Sequence, residues 1–429
     1  MKAYIKLIGW IILFIPCQLS AQQRDLNFYI EKAKANSPFI HKNINEKKVV
    51  ELDMEQLRRI YSKPEVTVEA GVLFAPIISH DDNKNQFRLV SKDATDYNGY
   101  DLAATDGGQY QAVVSLKQNL FTGSKYKTYQ EKADIQNQIS DNNIELTYHE
   151  LENTVKHQYI LCLKSEKQSQ NSLELIKQVD DELITMQTLV QNAILKKTDL
   201  MLLEITKQNY QQEYETFLSE YKNNIYDLNL ICGINDENEA ALQDTTFLLK
   251  PEINTGSLFL KSYYLDSLSI AADRKIFELK YKPEVNFFAN GGLNAVYLPA
   301  FNRLGFATGF TFSMYLFDGN QRDIERQRSE INFETLNFEK EKTKQQNAIQ
   351  KNFTLSRIQS INDRILLANQ QLEQYDKLVG VYKIQLENGE ISVMDYKYLI
   401  KEISTKKQEK LLLEMEKQIV INAYNYWNF

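Results

Sequence analysis

Residues able to do chemistry are few in this 429-residue chain, and they are scattered. Histidine occurs four times, as His41, His80, His149 and His157. His149 and His157 stand eight apart and share one face of a helix, but the four do not form a ligand set for a metal. The cysteines are Cys17, Cys162 and Cys232. Cys17 falls inside a leader segment, and Pro16 directly before it argues against a lipid-bearing cysteine. Cys162 and Cys232 match neither a disulfide framework nor zinc spacing, and they read as small apolar helix residues. There is no Ser/His/Asp constellation, HExxH, Walker loop or Gly-rich dinucleotide loop. The chain therefore reads as a non-enzyme with no cofactor and no metal. Lys and Arg number 50 against 57 Asp and Glu, a formal net charge of −7 that becomes −9 once Lys2 and Lys6 of the leader are removed. No basic block is present, so nucleic acid is not an expected partner.

With no site to position, the informative features are the elements themselves. Only 15 glycines and 7 prolines occur, and they are unevenly spread. Proline is absent from Ile77 to Lys250 and from Ala300 to Phe429, and glycine from Ser124 to Cys232. These residues punctuate loops and stop helices. A compact enzyme with frequent loops, a collagen and a Pro/Gly-rich disordered chain are all excluded, and very long helices are expected. Met1–Ala21 reads as a secretory signal, with Lys2 and Lys6 before an apolar Leu7–Ile15 and a small-residue cut at Ala21/Gln22. Nothing later reaches the length of a spanning helix.

The chain repeats itself. Leu120-Phe121-Thr122-Gly123 matches Leu316-Phe317-Asp318-Gly319 at a separation of 196, and Asn192 and Asp199 match Asn388 and Asp395 at that same separation. Upstream, Lys63-Pro64-Glu65-Val66 matches Lys282-Pro283-Glu284-Val285 at 219, so the first copy holds an insertion, read as a surface loop within residues 77–108. Residues 22–250 and 251–429 are the expected repeats. Each runs helix, strand, loop, strand, glycine turn, long helix, turn, helix. The strand–helix turns are placed at Phe121 and Gly123, and at Phe317 and Gly319.

The strands rest on strict alternation. Val66, Val68, Ala70, Val72 and Phe74 oppose Glu65, Thr67 and Glu69. Tyr110, Ala112, Val114 and Leu116 oppose Gln109, Gln111, Ser115 and Lys117. Val285, Phe287, Ala289 and Leu293 oppose Glu284, Asn286, Asn290 and Asn294. Leu304, Phe306, Phe310, Phe312 and Met314 oppose Gly305, Ala307, Gly309 and Ser313. A soluble antiparallel sheet with one wet face shares this pattern. Export, and the lack of other strands to cover the apolar faces, favour a membrane barrel. Four strands cannot close a barrel alone. A dimer gives eight strands and a trimer twelve, and only the trimer leaves a water-filled bore.

The helices have a length. Gly123 to Asn192 and Gly319 to Gly389 are each about 70 residues, about 105 Å at 1.5 Å per residue. In the second copy Ile358, Ile361, Ile365, Ala368, Leu372, Tyr375, Val379, Tyr382 and Leu386 alternate steps of three and four, the seam of a coiled coil. Ile176, Val179, Leu183, Met186 and Val190 form the seam of the first copy. Lys196–Cys232 and Ile391–Asn428 return from the tips, and Leu26–Tyr61 and Ser257–Tyr281 complete the span. Residues 233–254 read as a belt.

In this order the chain resembles the TolC-like outer membrane efflux channels. The resemblance is carried by the duplicated strand–helix turns, the tip segment Asn388-Gly389-Glu390-Ile391-Ser392-Val393-Met394-Asp395, and Ala33-Lys34-Ala35-Asn36-Ser37-Pro38. It covers nearly all of the chain after the leader. It implies a mainly α chain whose long antiparallel helical hairpins form a periplasmic α-barrel. Four strands per chain would join a 12-strand barrel in a homotrimer embedded in outer membrane lipid. It further implies a passive exit duct of a tripartite efflux or type I export system, coupled to a periplasmic adaptor and an inner-membrane transporter. Docking of the adaptor falls on the tip turns, Asn388, Gly389 and Glu390 in one copy and Asn192 and Ala193 in the other. Acidic rings that narrow the family's pore place a constriction at Asp395 and its repeat equivalent Asp199. The chain departs from the family at Tyr398, where a further acidic position becomes an aromatic one, and at Ala193, Lys196 and Lys197 of the first tip. The alternative is a non-conducting periplasmic coiled-coil scaffold, which predicts a soluble periplasmic protein.

Overall fold

The structure, a computed structural model, describes residues 24–91, 93–100, 108–192, 195–236, 241–252, 257–295 and 304–429. The expected leader (residues 1–21), Ala193, and Glu237 and Glu239 of the expected belt lie outside them. The elements run α1 (Leu26–Asn36), α2 (Pro38–Ser62), β1 (Glu65–Phe74), β2 (Ile77–Ser79), β3 (Gln86–Arg88), β4 (Tyr97–Asn98), β5 (Gly108–Leu120), α3 (Gly123–Gln191), α4 (Lys197–Cys232), α5 (Leu258–Glu278), β6 (Glu284–Ala295), β7 (Leu304–Ser313), α6 (Gln321–Glu387) and α7 (Val393–Trp427). α3 has 69 residues and α6 has 67. The chain forms two compact units, one of residues 1–41, 145–257 and 344–429 and one of residues 42–144 and 258–343. Each unit draws segments from both of the expected repeats.

The second unit holds the four-stranded sheet, antiparallel throughout, in the order β1-β5-β6-β7. Its register aligns the apolar positions across all four strands. Val68 faces Val114, Val114 faces Gly291 and Gly291 faces Phe306, while Phe287 faces Phe310 with ring centroids 5.5 Å apart. One face is therefore predominantly apolar from edge to edge, with Gln118 and Thr308 its polar members, and Val68, Val72, Phe306, Phe310 and Phe312 on it are exposed. The other face carries Thr67, Gln111, Ser115, Asn290 and Asn294. Gly292, with φ at 155°, takes a conformation L side chains avoid, and a Cβ there would meet the Ala112 carbonyl oxygen at 2.2 Å.

Polar links tie the helices of this unit to one another. Lys47 reaches Asp141 at 2.6 Å, Lys132 reaches Asp273 at 2.8 Å, and the Tyr263 hydroxyl meets Thr343 Oγ1 at 2.7 Å. Arg322 pairs with Glu278, Lys125 with Glu284, and the Tyr281 hydroxyl donates to Asp318. The insertion expected as a loop contains a small antiparallel sheet, β3-β2-β4. Asp81 organises it, accepting from Ser79 Oγ at 2.7 Å, Thr95 Oγ1 at 2.6 Å and the Asp96 amide at 3.0 Å. The Thr95 and Ser79 hydroxyls hold its carboxyl well below the usual carboxylate range.

The first unit is helical. Tyr29, Ile30 and Ala33 of α1 pack with Val155, Tyr159, Cys162 and Leu163 of α3 and with Tyr221, Ile225, Leu228 and Cys232 of α4. Both cysteines are buried and free, and burial pushes the Cys232 thiol up to about 12. Tyr159 is 0% exposed, and its hydroxyl donates to the Gln243 carbonyl at 2.7 Å. The strap at 241–252 is held by side-chain amides at the end of α7 and just beyond it. Asn425 accepts from the Lys250 amide and donates to the Leu248 carbonyl, both at 2.9 Å, and Asn428 donates to the Pro251 carbonyl at 2.7 Å. His149 stacks on Phe429 with centroids 3.5 Å apart and bonds the Tyr426 carbonyl at 2.8 Å, and burial lowers its pKa.

A second expected element also differs. The helix expected over Leu26–Tyr61 is two helices, broken at Ser37 (φ −69°, ψ 119°). The pyrrolidine of Pro38 disfavours helical geometry at the residue before it, while Pro38 itself suits the first position of the next helix.

Candidate functional site: the helical tips

The coiled-coil seam brings the tips together. Ile358, Ile361, Ala368 and Leu386 are buried and the intervening seam positions half-buried, among mostly exposed neighbours on α6. Near its end, Leu175, Val179, Leu183 and Met186 of α3 share one cluster with Leu203 and Tyr210 of α4, Leu386 of α6, and Val393, Tyr396 and Ile400 of α7. Both hairpin ends are thus anchored in a common core.

The second tip closes α6 with a left-handed glycine. Gly389 has φ at 73°, its amide donates to the Leu386 carbonyl at 3.0 Å, and the Glu390 amide donates to the Gln385 carbonyl at 2.8 Å. This reciprocal pattern satisfies the free carbonyls at a helix C-terminus. α7 then opens with a capping box. Ser392 Oγ accepts from the Asp395 amide at 3.1 Å, and Asp395 Oδ2 accepts from the Ser392 amide at 3.2 Å and from Ser392 Oγ at 2.6 Å. Asp395 is therefore an exposed cap residue at a helix N-terminus, where the helix dipole favours an anion. Tyr398, one turn on, is 66% exposed.

The first tip is built differently. The Asn192 amide donates to the Thr188 carbonyl at 3.1 Å, and the Leu195 amide reaches the Leu189 carbonyl at 3.3 Å. Lys196 precedes α4, and its amide donates to Asp199 Oδ2 at 3.0 Å. Asp199 thus mirrors Asp395 as the third residue of a returning helix, but a lysine stands where the second tip has Ser392. Asn388, Gly389, Glu390 and Asn192 are exposed turn residues.

A pair not visible in the sequence lies behind the second tip. Tyr396 of α7 is 3% exposed, and its hydroxyl donates to Glu182 Oε1 of α3 at 2.6 Å. Glu182 Oε2 is buried without a hydrogen-bond partner. Burial raises the Glu182 carboxyl and, with the carboxylate beside it, the Tyr396 phenol. The pair borders a cleft of about 260 Å³ lined also by Asp181, Lys383 and Glu387. Tyr396 directly follows Asp395 and is legible, but Glu182 sits among the alternating charges of α3 with nothing to single it out.

The strand–helix turns diverge in detail. In the first copy the left-handed residue is Phe121 (φ 57°), while Gly123 already begins α3. In the second, Gly319 (φ 71°) and Asn320 (φ 64°) take that conformation. Phe121 and Phe317 are both largely exposed.

Long helical hairpins joined to a four-stranded antiparallel sheet have close counterparts among solved structures. CusC, whose crystal structures concern folding and transmembrane channel formation, superposes with a TM-score of 0.69 at 10% identity, covering 99% of this chain and 95% of that one. The chain has the fold of the outer-membrane channels. VceC, an outer membrane protein of Vibrio cholerae, gives 0.66 at 13% identity over 94% of this chain and 95% of its own. MtrE, an outer membrane channel of Neisseria gonorrhoeae seen in its open state, gives 0.67 at 9% over 94% and 88%. No protein-family model and no curated protein matches the sequence. The expected fold class, mainly helical with long hairpins and four strands, is that of this channel fold.

Proposed function

We propose that the chain is the outer-membrane exit duct of a tripartite efflux or type I export system, a passive conduit assembled as a homotrimer. The observation that carries this reading is the sheet. One face is predominantly apolar across four strands, and among the described residues β1 pairs only with β5 and β7 only with β6, so both edges are open. A bilayer tolerates neither open edges nor unpaired backbone groups, so copies of the chain must close the barrel. Three copies give twelve strands, an apolar outer wall and a polar bore. α6 supports assembly too, because Ile324, Ile331 and Phe338 repeat every seven residues and are exposed on the single chain. No described helix is long and apolar enough to cross a membrane.

In this reading residues 22–250 and 251–429 are the two repeats, and residues 1–21 are removed on export. The tip turns at Asn388, Gly389, Glu390, Asn192 and Ala193 meet a periplasmic adaptor, which links the duct to an inner-membrane transporter. Asp395 and Asp199 narrow the periplasmic end as threefold sets of carboxylates, with Tyr398 adding an aromatic narrowing. Like charges at one height repel and attract cations, so the end would discriminate by charge. The protein carries no catalytic step. The test is reconstitution of the purified protein in planar bilayers, with cation block at the tip side. Ohmic channel steps blocked by multivalent cations support the duct. A protein that remains in the soluble periplasmic fraction and never conducts supports the scaffold alternative and refutes the duct.

A further inference from the structure

The polar face of the large sheet carries three large apolar residues, Leu73, Val113 and Phe288, and Phe288 is the one aromatic among them. Alternation places Phe288 of β6 on that face between Asn286 and Asn290, directly opposite Lys117 of β5 and flanked there by Ser115 and Asn119. Directly opposite on β7 is Gly309. A Cβ built on Gly309 would lie 2.9 Å from Phe288 Cζ and 3.0 Å from Cε1, closer than real side chains approach. The ring tip therefore occupies the space that any other residue at 309 would fill. Gly309 is half-covered, whereas Ala307 and Thr311 on the same face of β7 are exposed. Thr308 Oγ1 donates to the Phe288 carbonyl at 3.0 Å, and together with the β6·β7 ladder this fixes both backbones. Gly309 has no left-handed backbone to explain it, so what requires a glycine there is the ring.

We infer that Gly309 is the seat that holds Phe288 against the barrel wall, and that the pair sets the width of the bore and its preference for aromatic solutes. The inference rests on the reading of the polar face as the bore. With the backbones pinned, a side chain at 309 can be accommodated only by rotating the ring off the wall and into the lumen, once in every copy. Seated beside Lys117, Phe288 is an apolar aromatic surface in an otherwise amide- and hydroxyl-rich passage, the place where the ring of an aromatic solute finds a stacking partner.

The experiment is bilayer conductance of the wild type, Gly309→Val, Phe288→Ala and the double variant, with oligomer mass measured in parallel. Gly309→Val is expected to lose conductance, and the double variant to regain the level of Phe288→Ala. Block by benzyltrimethylammonium, relative to tetramethylammonium, is expected to weaken in Phe288→Ala. Wild-type conductance in Gly309→Val, a loss that persists in the double variant, or unchanged aromatic block would overturn the inference. Should Gly309→Val fail to assemble, recovery of assembly in the double variant supports the seat and its absence refutes it. A wild type that does not conduct refutes the duct reading itself, an outcome distinct from all of these.

Discussion

A lysine in place of Phe310 is expected to block assembly, and the size of the effect follows from where the residue lies. β7 has ten residues, about 30 Å at ~3.4 Å per residue. Tilted by about 40°, it rises about 23 Å, close to the ~25 Å apolar band of a membrane barrel. Phe310, the seventh residue, falls about 4 Å from the strand's mid-height by the same arithmetic. It is 71% exposed on the apolar face, and it pairs with the Phe287 ring at 5.5 Å. A lysine near the midplane costs about 2–4 kcal/mol, and losing the ring pair adds about 0.5–1.5 kcal/mol. Over three copies the smallest charge term alone is about 6 kcal/mol, or about four powers of ten in an assembly equilibrium. Thr311→Lys is the control, one residue on, exposed, and on the polar face. The assay is outer-membrane fractionation followed by native mass in detergent. Loss of oligomer for Phe310→Lys with retention for Thr311→Lys is expected. The reverse would show the faces to be inverted, and equal tolerance would show that neither face meets lipid.

Three further outcomes are expected. Asp395→Ala removes the acceptor for the Ser392 amide and hydroxyl, so α7 should lose about 1 kcal/mol of cap stabilisation and the channel should lose cation block; conductance and block equal to wild type would remove Asp395 from the constriction. Leu228→Ala, in the core at 0% exposure, should lower stability by about 2–5 kcal/mol in chemical denaturation, and a smaller loss would mean that the α1–α3–α4 core collapses around the deletion. Burial raises the folded-state value of Glu182 above its ordinary 4.5, so folding favours its protonated form. That contribution is complete below the ordinary value and is lost as pH rises through the raised one. Local hydrogen exchange at α3 and α7 should therefore quicken over this interval in the wild type but not in Glu182→Gln, and parallel profiles would exclude Glu182 as the titrating group.

Much of this architecture is legible because its periods are simple. The alternation from Val66 to Phe74 and from Leu304 to Phe312 reads directly as one largely apolar sheet face, and the three-four steps from Ile358 to Leu386 fall on buried and half-buried positions of that stretch of α6. The break at Ser37 has a local cause in the sequence, since Pro38 follows it. Other features depend on contacts between residues far apart in the chain. The small sheet around Asp81 needs Thr95 and Asp96, fourteen and fifteen residues on. Glu182 and Tyr396 are 214 residues apart. The matched motifs also hid a divergence, because Phe121 takes the left-handed turn in one copy and Gly319 in the other. At the tips, Asp395 and Asp199 are recoverable from the repeat, but their capping bonds emerge only with the backbone in place. Gly380 lies exposed on α6 with nothing within 4 Å of a Cβ there, and nothing in the structure explains it.

The central claim is that the open four-stranded sheet is closed by copies of the same chain within a membrane. Native mass measurement of the detergent-extracted outer-membrane protein tests it most directly. A single species at three times the mass of the exported chain is predicted. A monomer, or a protein recovered without detergent from the soluble fraction, would contradict it.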